Sequence, residues 1–242
     1  WSSDVCSSDL FVERWAAERP DSEALVFGED RLTWRDFKNL MDAVSLAYLD
    51  AGIMKGDRVA LLSMARTEFL TTYMAAGKVG AVWLGLSPKF TLEELRYQIG
   101  DCRPSLLIAL REYLGNDLSE TIRALMKEFS FIKKVLILGE PIEGTENFHD
   151  FTQKPRKGLE ADLDRRSGEI LETDEALLMY TSGSTGKPKG VIHTHRSIVE
   201  NIRIEVKKFF FDEQSRGILH FPINHVAADV EIGFGAIMSG GC

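Results

Sequence analysis

Short apolar runs alternate along this chain with segments in which apolar residues recur three and four positions apart. The runs cover Val59–Ser63, Ala81–Leu86, Leu106–Leu110 and Val135–Leu138, and bounded runs of this kind are typical of buried strands. The segments between them, such as residues 118–129, place their apolar side chains on one helix face. Strands separated by amphipathic helices predict an α/β fold, with layered parallel-type sheets and flanking helices.

Polar residues mark where several of the predicted helices begin. Thr33 is a plausible N-cap, and Thr91 is followed three positions later by Glu94, which is the capping-box arrangement. The Glu93–Glu94 pair is therefore interpreted as helix capping rather than as catalytic acid chemistry. A later helix is predicted to begin at Thr194 or His195, because Ile198, Ile202 and Val206 follow four apart.

Three stretches depart from this regular alternation. Residues 1–10, WSSDVCSSDL, repeat SSD and differ in composition from everything after Phe11, so we interpret them as a non-native or disordered tail. Residues 139–175 lose periodicity and are predicted to form a long surface connection. Ile218–Phe221 is predicted to be a further strand.

Composition and charge exclude several classes of protein. The chain has 242 residues, of which 44% are hydrophobic and 27% charged, as in an ordinary globular protein. A net charge of −8 without a basic block argues against nucleic-acid binding. No apolar run is long enough for a transmembrane segment. The 3 cysteines lack metal-like spacing and favour a reducing, cytoplasmic location.

The stretch Tyr180–Val191, YTSGSTGKPKGV, carries the chemistry of an anion site. Glycines let backbone N–H groups turn inward, hydroxyls donate to phosphate oxygens, and lysines supply positive charge. A Walker A loop is excluded, because Thr181 stands at the first glycine and Pro188 at the final hydroxyl position. The alternative is a flexible surface turn, but the apolar run Ala176–Met179 and the predicted strand Val191–His193 give the loop a rigid scaffold. The predicted polyphosphate-binding residues are Thr181, Ser182, Gly183, Ser184, Thr185, Gly186, Lys187 and Lys189.

The whole string closely resembles the phosphate-loop signature of the AMP-forming adenylating enzymes. That superfamily contains acyl- and aryl-CoA synthetases, peptide-synthetase adenylation domains and firefly luciferase. The segments ERPDSEALVFG and LTWRDF resemble its opening, and Gly80–Asp101 resembles its second signature region more loosely. The resemblance implies that residues 11–242 are the N-terminal part of the large AMP-binding domain.

The later signatures of these enzymes do not occur in the chain. They comprise the aromatic-Gly-x-Thr-Glu segment, the ribose-binding Asp, the hinge, and the mobile C-terminal domain with its adenylation lysine. The resemblance therefore implies a fragment truncated before that domain. We expect this fragment alone not to complete adenylation.

The resemblance also implies an activity and its cofactors. An acyl-CoA synthetase joins a fatty or aryl acid to ATP, releases pyrophosphate, and transfers the acyl group from acyl-AMP to coenzyme A. The loop would hold the β- and γ-phosphates, with Mg²⁺ bridging them and Thr185 as a metal ligand. Lys189 ranks above Lys187, whose position varies in the family. His225, in the Pro-x-x-His segment, and Ala227 would line the acyl pocket beside the carboxylate.

Several alternatives stay open at this stage. A peptide-synthetase adenylation domain is disfavoured because apolar residues follow His225, although Asp229 could meet an amine. A non-catalytic nucleotide-binding module is a further alternative. A packed histidine at a strand end is the alternative for His225, although the resemblance favours the pocket role. His193 and His195 are predicted to be structural rather than metal ligands. The partners implied are a small carboxylic acid and coenzyme A. The acid's identity and the oligomeric state, with a homodimer among the options, stay open.

Overall fold

The structure is a computed structural model that describes residues 7–181, 187–225 and 233–242 of the chain. Within these ranges, helices alternate with strands along most of the sequence. The helices are α1 (Asp9–Glu18), α2 (Trp34–Asp50), α3 (Thr67–Val79), α4 (Leu92–Cys102), α5 (Ser119–Glu128), α6 (Phe148–Thr152), α7 (Glu160–Gly168), α8 (His195–Phe209) and α9 (Phe234–Ser239). The strands are β1 (Glu23–Phe27), β2 (Asp30–Thr33), β3 (Arg58–Leu62), β4 (Val82–Leu86), β5 (Leu106–Leu110), β6 (Glu112–Tyr113), β7 (Asn116–Asp117), β8 (Lys134–Leu138), β9 (Glu146–Asn147), β10 (Glu175–Thr181) and β11 (Lys189–Thr194).

A seven-stranded sheet forms the centre of the part of the chain that the structure describes. Its strand order is β11-β10-β4-β3-β5-β8-β9. Every neighbouring pair is parallel except β10 and β11, which are antiparallel. The predicted α/β fold with a parallel-type sheet and flanking helices is confirmed.

Each face of the sheet packs against its own hydrophobic core. Along β3, Val59 and Leu61 belong to one core while Ala60 and Leu62 belong to the other, because successive strand side chains point to opposite faces. Helices α4 and α5 cover the second core through residues such as Leu95, while α2, α3 and α8 cover the first. Burial on both faces explains why these strands are continuously apolar rather than alternating.

The predicted helix starts are confirmed in their geometry. Thr33 and Thr91 each accept a hydrogen bond from the backbone N–H three residues later, and Asp36 and Glu94 complete the two capping boxes. Thr194 caps α8 by accepting from the Ser197 backbone. These bonds satisfy N–H groups that a helix leaves without an internal partner.

Two predictions about local structure were wrong. Residues 139–175 are not a surface connection throughout, because they contain β9, α6 and α7, and Phe148 and Leu163 join the first core. Residues 218–221 do not form a strand, and the Ile218 side chain is 77% exposed. An apolar run predicts burial only where a neighbouring element covers it, and none of the described residues covers Ile218.

The N-terminal tail stays a prediction. Residues 1–6 lie outside the described residues, whereas α1 begins at Asp9, whose carboxyl group is buried. Among the helices described, none combines the length and the apolar character that crossing a membrane requires.

Candidate functional site

The antiparallel pair β10–β11 carries the predicted phosphate loop. Strand β10 is tied to the sheet by parallel pairing with β4, and its Leu177 side chain is fully buried. At the open end of the pair, Thr181 lies opposite Lys189. Buried strand residues therefore hold the two stems of the loop, which is the rigid scaffold that the apolar run predicted.

The structure describes only part of the predicted ATP site. Thr181, Lys187 and Lys189 lie at the end of the pair and are exposed. The Thr181 hydroxyl is 3.5 Å from the Lys189 carbonyl oxygen, which is a long contact. The other predicted members, Ser182, Gly183, Ser184, Thr185 and Gly186, lie outside the described residues, so their predicted roles stay predictions.

The two lysines at the stem differ in their surroundings. The Lys187 ammonium lies 5.9 Å from the centre of the Tyr97 ring. Within residues 7–181, 187–225 and 233–242, the Lys189 ammonium has neither a carboxylate partner nor a hydrogen bond. An exposed, unpaired ammonium at a strand end is able to meet an anion without first breaking an ion pair.

The segment that carries His225 packs against β4, the strand next to β10. The His225 backbone N–H donates to the Pro222 carbonyl at 3.0 Å, and its ring is 6.2 Å from that of Phe221. Ile223, which follows Pro222 in the sequence, is fully buried. A Cβ added at Gly85 of β4 would overlap the Ile223 carbonyl oxygen.

This packing brings the two predicted parts of the site to one edge of the sheet. Strands β4 and β10 are parallel neighbours, so their carboxyl ends point the same way. The Ile223–His225 turn lies on β4, and the loop stems continue from β10. Ligands of open α/β sheets bind at the carboxyl ends of the strands. Ala227, the second predicted pocket residue, lies outside the described residues. So does Asp229, the residue considered as a partner for a substrate amine.

Sequence reasoning missed two residues of α4 that contact the loop stems. Tyr97 donates a hydrogen bond to the Pro188 carbonyl at 2.9 Å, and Asp101 accepts one from the Tyr180 hydroxyl at 2.6 Å. Their spacing of four on one helix was the available signal. It did not say which element that face meets.

His195 is a buried structural residue. The residue is 1% exposed, and neither ring nitrogen has a hydrogen-bond partner among the residues that the structure describes. A Cβ at Gly77 would lie 3.4 Å from its Cε1 and 3.6 Å from Asp9 Oδ1. Burial lowers the pKa of His195 to about 4, and the Asp174 carboxylate offsets this only in part. His193 lies on β11 and His195 on α8, so they do not share a strand face.

The buried His195 makes stability depend on pH. In the unfolded chain the imidazole is protonated below its ordinary pKa of 6.5, whereas the folded chain resists protonation down to about 4. Stability should therefore fall as pH drops through this window, by roughly 1 kcal/mol per pH unit from this group. Burial raises the pKa of Asp9 to about 6, which acts in the opposite direction.

Replacing His195 by phenylalanine isolates this contribution. The free energy of unfolding, measured by denaturant titration between pH 7.5 and 4, should fall less steeply in H195F than in the wild type. His193→Phe is the matched control, because it makes the same replacement at a partly exposed residue two positions away. Identical slopes in H195F and wild type would show that His195 does not contribute to the pH dependence of the free energy of unfolding.

A cavity of about 450 Å³ lies away from the predicted site. Residues of β1 and of the segment Arg216–Leu219 line it, together with Leu70 and Ile237. Neither Lys189 nor His225 lines it. The cavity therefore gives no support to the predicted acyl pocket.

Comparison with known proteins identifies relatives over most of the chain. The family model described as "AMP-binding enzyme" matches residues 12–242. An acyl-CoA ligase of Aspergillus fumigatus is 32% identical in an alignment of 194 residues that covers 76% of this chain and 32% of that protein. Bacitracin synthase 3 of Bacillus licheniformis is 27% identical over 98% of this chain and 3% of its own length.

A solved structure shares the fold. The anthranilate CoA ligase in complex with anthranoyl-AMP superposes with a TM-score of 0.87 at 23% identity, over 97% of this chain and 44% of that chain. The present chain thus spans about a third of the acyl-CoA ligase and under half of the solved ligase.

Proposed function

Because the chain belongs to the AMP-binding enzyme family, we propose that it is the N-terminal portion of an AMP-forming acyl-CoA synthetase acting on a fatty or aryl acid. The observation that carries the proposal is the end of the β10–β11 pair. It presents Thr181 of β10 and Lys189 of β11 at the edge of the sheet where β10 ends. Strand β10 is the parallel neighbour of β4, against which the Ile223–His225 turn packs. The acyl-CoA ligase relative supports the same reaction class.

The proposed first step is activation of a carboxylate. A carboxylate oxygen forms a bond to the α-phosphorus of ATP, and the bond from that phosphorus to the bridging oxygen breaks, so that pyrophosphate leaves. Positioning and charge compensation do most of the work in such phosphoryl chemistry. Lys189, with Lys187 beside it, would offset the charge of the departing pyrophosphate. His225 would lie by the reacting carboxylate. The thiol of coenzyme A would then bond to the acyl carbon and lose its proton, while the bond from that carbon to the phosphate oxygen breaks and AMP leaves.

The family resemblance implies that Mg²⁺ accompanies the phosphates at the proposed site. Mg²⁺ prefers oxygen ligands and keeps several waters. Thr185, its predicted ligand, lies outside the described residues, and the described stem adds the exposed hydroxyl of Thr181. Such an ion bound to the phosphates would supply positive charge that stabilises the leaving group.

Acid-dependent exchange of labelled pyrophosphate into ATP tests the proposal. We expect the full-length protein to exchange label in the presence of fatty or aryl acids. A panel of fatty, aryl and amino acids would name the substrate class. Exchange with no acid of the panel would overturn the proposed function and favour a non-catalytic nucleotide-binding module.

A peptide-synthetase adenylation domain is the second candidate function. The likeness to bacitracin synthase 3 over 98% of this chain favours it. If amino acids but not fatty or aryl acids drive the exchange, this second function replaces the first. We also propose that the protein works in the cytoplasm.

The 242-residue chain alone should give no exchange above background. By the family resemblance, the adenylation lysine belongs to a C-terminal domain that these residues do not include. Acyl-AMP formation by the isolated chain at a rate near that of the full-length protein would contradict this expectation. The control is the full-length protein at equal concentration in the same assay.

A further inference from the structure

Helix α4 contacts both stems of the predicted loop through two tyrosine hydroxyls. Tyr97, on α4, donates to the Pro188 carbonyl at 2.9 Å. Tyr180, on β10, donates to Asp101 of α4 at 2.6 Å. Tyr97 and Asp101 are four residues apart and therefore lie on one face of α4. That face contacts β10 through Tyr180 and contacts the chain just before β11 through Pro188.

The two aromatic rings add further contacts at the same place. The rings of Tyr97 and Tyr180 lie edge to face, with centroids 6.5 Å apart and planes at 70°, which is a favoured aromatic geometry. The Lys187 ammonium lies over the Tyr97 ring at 5.9 Å, near the outer limit of a cation–π contact. Tyr97 therefore touches Pro188 through its hydroxyl and Lys187 through its ring.

The contact to Pro188 comes where the strand pairing stops. Strand β11 begins at Lys189, and the Thr181–Lys189 pair is the last of the ladder. Pro188 is half-buried and has no N–H, and its carbonyl oxygen needs a donor from elsewhere. The Tyr97 hydroxyl supplies that donor. Helix α4 itself is anchored on the sheet by the buried Leu95 and Ile99.

We propose that Tyr97 is a positioning residue for the polyphosphate site. It holds the backbone at Pro188, and so fixes where the ammonium groups of Lys187 and Lys189 stand relative to the sheet. Asp101 restrains the other stem through Tyr180. The predicted effect on ATP binding rests on the proposed function, whereas the predicted restraint on the loop stem does not.

The first test measures the restraint without any nucleotide. In the full-length protein, Tyr97→Phe removes the hydroxyl and keeps the ring. Amide hydrogen exchange in the peptide covering residues 187–191 should become about three to ten times faster, as expected for loss of one hydrogen bond. Tyr113→Phe is the matched control, because no described residue bonds to the Tyr113 hydroxyl. Equal exchange rates in Y97F and wild type would overturn the proposal.

The second test measures what the restraint does for the reaction. In acid-dependent pyrophosphate exchange, Y97F should raise the KM for ATP about threefold to tenfold, while kcat and the KM for the acid stay within about twofold. A merely structural role would lower the thermal midpoint and leave the KM for ATP unchanged, and that result would overturn the proposal.

The two tests also separate failure of this inference from failure of the proposed function. If the wild-type protein exchanges no pyrophosphate with any acid, the proposed function fails. Y97F is then assayed for binding of ATP itself. Weaker ATP binding together with faster amide exchange supports Tyr97 as a positioning residue, and unchanged ATP binding overturns it.

Discussion

Replacing Lys189 by methionine in the full-length protein is expected to lower acid-dependent pyrophosphate exchange about tenfold to a hundredfold. A hydrogen bond to a charged group contributes about 1.5–3 kcal/mol, which corresponds to this range. The Lys189 ammonium has no competing carboxylate among the described residues, so its charge is available to the phosphates. The measurement is the exchange rate at saturating acid as a function of ATP concentration.

Two further lysine variants make this prediction specific. Lys187→Met should lower the exchange rate by about threefold. The effect is smaller because the Lys187 ammonium already contacts the Tyr97 ring and solvent screens its charge. Lys208→Met, at the exposed end of α8, should leave the rate unchanged. If K189M behaves like K208M, Lys189 does not contact the phosphates and its assigned role is wrong.

Replacing Gly85 by alanine is expected to lower the free energy of unfolding by about 2–3 kcal/mol, the usual cost of overpacking a core. The added Cβ would overlap the Ile223 carbonyl oxygen and lie 2.8 Å from the Trp83 ring. Backbone atoms cannot swing away as a flexible side chain does, so β4 and the Ile223–His225 turn must separate. Denaturant unfolding measures the loss.

The same substitution should also disturb the acid site. Because the turn carries His225, G85A should raise the KM for the carboxylic acid more than the KM for ATP. Gly168→Ala is the matched control, since a Cβ there meets no atom within 4 Å. Equal stability of G85A and G168A would show that the close approach of Ile223 to β4 is not a feature of the folded protein.

The apolar pattern was sufficient to predict the sheet because its strands are buried on both faces. Four runs of apolar residues became β3, β4, β5 and β8, within one residue at each end. The helix starts at Thr33 and Thr91 could also be predicted, since a capping box is formed by residues close in sequence. The wrong predictions at residues 139–175 and 218–221 concern segments whose burial depends on distant partners.

The sequence by itself determined the parallel α/β alternation and the composition of the loop, because local periodicity and residue chemistry carry both. Only the tertiary structure decided that α4 meets both stems through Tyr97 and Asp101, and that the His225 segment lies on Gly85. These contacts join residues about 80 to 140 positions apart. Which helix face meets which strand follows from the order of strands in the sheet, and chain periodicity does not encode that order.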